Sequence, residues 1–245
     1  MAVHSKWANI QHRKGKVDAQ RGKIFTKLVK ELTVAARMGG GDIDGNPRLR
    51  AAVNAAKAQS MPNDNIKRAI DKGLGKGEGV DLEELIYEGY GPGGVAILVA
   101  ATTDHKGRTT PEIRHLFSKH GGNMGEAGSV AWQFSKKGFI TMPKQDKSED
   151  DLTEILIEIG AEDYEDLEES WGIYTAFDDL HVISDRLEKM GLSIESAKMV
   201  MVPQNEMQIT GETLQKVMKL IDLFQDHDDV QDVWSNADFD ESELA

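Results

Sequence analysis

Seven consecutive apolar residues, Val95 to Ala101, follow the turn sequence Gly89-Tyr-Gly91-Pro-Gly93-Gly94. A β-branched run of this length after a Gly/Pro turn reads as a buried central strand, with LIYEGYGPGGVAILVAA as two strands joined by that turn. The same six residues match G-x-G-x-x-G by letters. A dinucleotide fingerprint, however, needs a following helix whose N-terminus holds pyrophosphate, and here a strand follows.

The flanking sequence supplies helices. RTTPEIRHLFSKHGG predicts one, with Thr109 and Glu112 as a capping box, Ile113, Leu116 and Phe117 as its apolar face, and Gly121 as its stop. SVAWQFSKKGFITM predicts a hairpin turning at Lys136–Gly138. A helix, a short acidic or glycine turn and a strand then recur in DLTEILIEIGAEDYEDLEESWGIYTAF, HVISDRLEKMGLSIESAKMVMV and ETLQKVMKLIDLFQDHDDVQDVWSNA. Such units beside antiparallel hairpins predict α+β sandwiches of ferredoxin-like type. The acidic run Glu162–Glu169 is expected to be a solvated helix end.

Residues 17–75 predict three helices. The first carries Ile24, Phe25, Leu28, Leu32, Ala35 and Ala36 at helical spacing and ends at Gly39–Gly41. The second opens with Asn46 as N-cap and Pro47 at N1, then presents Leu49, Ala52, Val53 and Ala56. The third follows Pro62 and presents Ile66, Ala69, Ile70 and Leu74. Alternating glycines from Gly73 to Gly79 predict a linker, and further breaks are expected at 143–151 and 203–211. At roughly 150 residues per domain, 245 residues make two or three domains.

Charge divides the chain. Residues 1–75 carry 15 Lys and Arg against 6 Asp and Glu, while residues 76–245 carry 14 against 36. A basic segment joined to an acidic body is a pattern of nucleic-acid binders, although basic and acidic parts can also simply pack together. On a helical wheel Lys23, Lys27, Lys30 and Arg37 gather on one side of the first helix, opposite its apolar face, and Lys16 joins them if the helix starts that early. Lys6, Arg13 and Lys14 precede them. Arg48, Arg50, Lys57, Lys67, Arg68 and Lys72 continue the charge. This surface suits phosphate, with sequence-tolerant and salt-dependent affinity, and nothing in it encodes bases. Trp7 in the basic arm either stacks on a base or anchors the arm. Arg108, Arg114 and Lys119, beside Gly121, Gly122 and Asn123, form a second anion site or pair with nearby acids.

Several classes are excluded. Zero Cys rules out disulfides, thiolate catalysis and Cys-ligated metals. Asp42-Ile-Asp44-Gly-Asn46 begins like a calcium loop, but Pro47 and Val53 occupy the positions that need Gly and Glu. His115 and His120 diverge on their helix and His105 precedes the expected cap, so no metal site is predicted. Neither a cofactor, a small-molecule substrate nor a nucleophile–base pair is indicated. The longest apolar run is far below the about 20 residues of a membrane span, and MAVHSKWANIQHRKGK lacks a secretory apolar region. A cytoplasmic, non-enzymatic protein is expected.

The segments HSKWANIQHRKGKVDAQRGKIFTKLVKELTVAAR, GGDIDGNPRLRAAV, MPNDNIKRAI, YEGYGPGGVAILV and FSKHGGNMGEAGSVAWQF together resemble the YebC/PmpR family. Its eukaryotic relatives include a mitochondrial translational activator of cytochrome oxidase. The resemblance runs from His4 to about Asp238. It implies a basic helical domain at 1–80, a discontinuous α+β middle domain at 81–135 plus 206–240, and an inserted α+β domain at 136–205. It offers no catalytic residue, and it places the family's basic motif on Lys6, Arg13, Lys14, Arg21, Lys23, Lys27, Arg37, Arg48 and Arg50. The function it implies is regulation of transcription through DNA binding. The alternative it implies is a ribosome-associated translation factor that holds ribosomal RNA and relieves stalling.

Overall fold

The computed structural model describes residues 18–76, 81–144, 149–167, 169–240 and 243, with side chains from residue 22 onward except Asp150. The fold is α+β, with N-terminal helices followed by two four-stranded sheets. It divides into two compact units. One holds Leu28–Gly79 and Lys136–Val200. The other holds Val80–Ser135, Met201–Ala245 and the first helix as far as Lys27.

In the first unit, helices α1 (Asp18–Gly39), α2 (Pro47–Ala58) and α3 (Asn63–Gly73) form the helical part, although α1 begins in the other unit. Asn46 ties two of them together. Its Oδ1 accepts the Leu49 amide at 3.1 Å and so caps α2, while its Nδ2 donates to Ala35 O and Gly40 O at 2.8 Å each, closing the end of α1. The predicted apolar set Leu49, Ala52, Val53 and Ala56 is buried. On α1, however, Leu32 to Ala36 are all buried, Thr33 and Val34 included, so this stretch is enclosed around its circumference rather than two-faced. Gly73, expected in a linker, ends α3, and a Cβ there would stand 2.3 Å from Thr33 O. The glycine lets α3 press onto the α1 backbone.

The same unit's sheet joins β4 (Phe134–Pro143), β5 (Asp163–Asp166), β6 (Ser170–Ala176) and β7 (Ser196–Pro203) in the order β5-β6-β4-β7. Helices α5 (Glu149–Ile159) and α6 (Leu180–Lys189) complete the β-α-β-β-α-β sequence of ferredoxin-like domains. Their core contains Ile140, Met142, Trp171, Ile173, Leu152, Leu156 and Ile183. Two expectations fail here. The predicted turn at Lys136–Gly138 is continuous strand, because Gly138 pairs with Thr175 and a Cβ would lie 2.3 Å from the Thr175 hydroxyl. The glycine marks close packing, not reversal. The acidic run is strand β5 rather than a helix end: Gly160, with φ +80, stops α5, and Tyr164 stacks edge-on to Trp171 at 5.9 Å.

The second unit's sheet has the order β3-β1-β2-β9, antiparallel throughout. It comprises β1 (Glu83–Tyr90), β2 (Ala96–Thr103), β3 (Asn123–Met124) and β9 (Val230–Ser235). The expected hairpin turns through Gly93 and Gly94, whose φ values of +73 and +85 favour glycine. Helices α4 (Lys106–Lys119) and α7 (Gly211–Gln225) share the core of this unit, where Phe117 and Phe224 rings meet at 4.6 Å. A short parallel pair, β8 (Met207–Gln208) with β10 (Ala237–Asp238), belongs to the same unit. The α4 cap is one turn earlier than predicted: His105 Nδ1 accepts the Arg108 amide. Thr109, expected as the cap, is fully buried and donates to Asp229. No described helix is long and apolar enough to cross a membrane.

Glu88 holds the segment after β3. Its carboxylate accepts the amides of Gly128, Val130 and Ala131, each at 2.7 Å. Burial pushes this carboxyl up, but the three donors outweigh burial and hold it below its ordinary range. A lowered native value adds stability above the unfolded value, about 4.3, and loses it as pH falls through the native one. Glu88→Gln should therefore cost about 1–3 kcal/mol near neutrality, with the gap from wild type closing in acid when urea unfolding is followed across pH. Asn46→Ala should cost about 2 kcal/mol in the same assay. Asn46→Asp should not rescue it, since a carboxylate would face the Ala35 and Gly40 carbonyls.

Candidate nucleic-acid interface

Of the eleven cations expected to face phosphate, Lys6, Arg13, Lys14 and Lys16 lie outside the described residues, as does the side chain of Arg21. Trp7 lies outside them too. The others are distributed over two kinds of environment.

Lys23 and Lys27 leave the first helix toward the carboxyl end of α7. Lys23 Nζ donates to Asp226 O at 3.0 Å and pairs with its carboxylate at 3.1 Å, while Lys27 Nζ donates to Gln225 O at 2.8 Å. The last carbonyls of a helix have no partner within it and carry partial negative charge. Two ammonium groups satisfy that need. Burial draws the Lys27 ammonium below its ordinary range, opposed by Asp232, Asp226 and Asp228 and reinforced by Lys23.

Arg48 forms a two-pronged pair with Glu31, at 2.7 and 2.9 Å. Arg50 binds Asp185 and the Asp44 carbonyl and approaches Glu188 at 3.9 Å. These contacts join α2 to α6. The groove beside them, lined by Arg50, Asn54, His181 and Ser184, holds His181 below its ordinary value, chiefly through burial. Lys30 and Arg37 also have interactions within the fold. Lys57 and Lys67 stand exposed on α2 and α3, and no carboxylate is paired with either among the described residues.

Within the second cationic cluster, Arg108 takes the expected alternative of pairing with nearby acids. Arg108 pairs with Asp229 at 2.9 Å and with Asp104 at 3.2 Å, and the hydrogen bond to Asp229 raises its already high basicity. Arg108 and Lys119 are also eleven residues apart on α4, about 16 Å along the axis. Lys119 instead belongs with His115, His120 and Lys219. Burial and then repulsion from Lys219, Lys119 and His115 lower the basicity of His120. Lys219 sits on α7, a hundred positions downstream, and nothing local in the sequence signals that it joins this group.

Glu112, His227 and Asp229 also converge, with potential ligand atoms within 4.8 Å of one another. They contact one another and neighbouring donors. His227 Nδ1 accepts the Asp229 amide, its Nε2 meets Glu112 at 3.0 Å, and Asp229 Oδ2 accepts from Arg108, Thr103 and Thr109. The trio is a polar clasp between α4 and the turn before β9.

Comparison with known proteins agrees with this architecture. Residues 5–76 match the TACO1/YebC protein N-terminal domain and residues 82–237 match the TACO1/YebC second and third domain. A probable transcriptional regulatory protein of Desulforapulum autotrophicum is 54% identical over 97% of this chain and 96% of its own length. One of Koribacter versatilis is 52% identical over 100% and 98%. The crystal structure of a conserved hypothetical protein, Aq1575, from Aquifex aeolicus superposes with a TM-score of 0.87 at 50% identity, covering 94% of this chain and 95% of that one. On these matches, which span both its helical and its sheet-bearing parts, the chain belongs to the TACO1/YebC family.

Proposed function

We propose that this chain is a cytoplasmic, non-catalytic regulator that binds nucleic acid through its basic N-terminal region, with DNA as the leading partner. The observation that carries the proposal is the excess of 15 cations over 6 carboxylates in residues 1–75 of an otherwise acidic chain. The relatives named probable transcriptional regulatory proteins support it. Because Lys23, Lys27, Arg48 and Arg50 already serve the fold, the phosphate grip falls on the remaining cations, with Lys57 and Lys67 foremost among the described ones.

One observation favours the second reading, a translation factor bound to ribosomal RNA. Arg48 and Arg50, near the start of α2, are held by carboxylates instead of standing open to base edges. This arrangement suits backbone binding better than reading of an operator.

Lys57→Glu with Lys67→Glu should weaken binding to duplex DNA at least about tenfold and flatten its salt dependence by about two counterions. An unchanged mobility shift would overturn the assignment. Sedimentation of cell lysate with and without nuclease separates the two readings: salt-sensitive migration with ribosomal particles supports translation, and recovery of crosslinked promoter fragments supports transcription.

A further inference from the structure

Alternate residues of β1 face opposite sides of its sheet. Tyr87 faces the helices, its hydroxyl 2.9 Å from that of Thr110 on α4, and a Cβ on Gly89 would strike the Phe117 ring. Glu88 and Tyr90 therefore face the other way. On that side Trp132 is 67% exposed and Tyr90 is 37% exposed.

These rings are held in place. The Trp132 indole N–H and the Tyr90 hydroxyl both donate to the Ser129 carbonyl, at 3.1 and 3.2 Å, and Gln133 Nε2 donates to the Tyr90 oxygen at 3.2 Å. Ser129 lies within the backbone that Glu88 clasps, and Trp132 follows it directly. The polar tips of both rings are engaged within the protein while the side chains stay exposed. Asn123 lies directly opposite Tyr90 in the ladder, so its amide projects on the same face.

Cations stand on the helix side of the same sheet edge. Gly121, with φ +81, turns the chain sharply after α4, and Gly122 passes so close to the Tyr90 carbonyl that a Cβ would stand 2.5 Å from it. This brings Lys119 and His120 to the edge that carries Asn123. Lys219 and His115 lie near enough to His120 to repel its proton. Lys119 and Lys219 have no paired carboxylate among the described residues.

We infer that Tyr90, Trp132 and Asn123 form a platform for unpaired nucleobases, with Lys119 and Lys219 holding the adjoining phosphates of a single strand. The inference rests on the reading of this chain as a nucleic-acid binder and adds a second contact on a different part of it. Pinned aromatic faces beside cations are the chemistry of sequence-tolerant single-strand binding. Protein–protein contact centres, by contrast, are depleted in lysine.

The test uses the full chain and fluorescently labelled oligothymidylate, oligouridylate and mixed-sequence duplex, each of about 12 nucleotides per strand, a length within the range of single-strand sites. Trp132→Ala should weaken binding of the single strands about tenfold and leave duplex binding unchanged. Trp132→Phe should restore most of the loss, and Lys119→Glu should weaken single-strand binding in a folded protein. Equal loss on both single strands supports a platform indifferent to the sugar, and a larger loss on oligouridylate supports an RNA strand. Single-strand affinities unchanged by Trp132→Ala and Lys119→Glu would overturn the platform while leaving the N-terminal grip standing. Failure of the wild-type chain to bind either single strand or duplex would overturn both.

Discussion

A chain with 42 carboxylates and 29 lysines and arginines has more than enough acid to engage every cation it carries. Cations reach a polyanion only where the fold keeps the chain's own acids away. Arg48, Arg50, Arg108, Lys137 and Lys144 each lie against a carboxylate. The exposed ones among these pairs add little stability, typically below about 1 kcal/mol, but each pair, the one with the buried Asp229 included, occupies donors that a phosphate would otherwise use. Availability for binding is therefore set by distance from acid rather than by the number of basic residues, and Lys57, Lys67, Lys119 and Lys219 are among the cations with no carboxylate paired to them among the described residues.

Lys23 and Lys27 illustrate the competition most directly. Their ammonium groups supply donors to the carboxyl end of α7, whose buried Phe224 packs on Phe117 in the core of its unit. Turning these lysines toward a phosphate would leave the Gln225 and Asp226 carbonyls without those donors and return a partly buried end of the helix to water. Their placement makes them structural, although their position on a helical wheel is that of a phosphate-facing ridge.

That difference shows how much of the molecule its sequence makes legible. Asn46, Pro47 and the apolar residues of α2 are readable because cap, propensity and period all agree, and the Gly93–Gly94 turn is readable because its positive φ values demand glycine. Gly138 and Thr109 mislead because each has two local explanations. A glycine after two lysines signals a turn equally as well as a close approach, and only Thr175, far along the chain, decides for the second. A threonine three positions before a glutamate signals a cap, yet Asp229 draws its hydroxyl into the core. The candidate sites follow the same logic. The cation excess is visible in composition, but which cations remain open depends on Asp226, Glu31 and Asp185, and the grouping of Lys219 with His120 exists only once α7 packs against α4.

The two proposed contacts differ in their dependence on salt, and the acidic excess makes that difference consequential. Phosphate neutralisation loses strength as counterions accumulate, while stacking on a pinned ring does not release ions. The repulsion between the carboxylates and a polyanion is screened over the same range, with a Debye length of about 8 Å at physiological ionic strength. At low salt, grip and repulsion are therefore both strong and both reach far. As salt rises they fade together, and the short-range contact of a base with Trp132 and Tyr90 takes a growing share of the binding. The rings need little ordering on contact, since Ser129 and the Glu88 clasp already hold them, so this share carries a small entropic cost. An acidic chain in physiological salt can thus discriminate between polyanions by the unpaired bases they expose, not by the phosphates that all of them share.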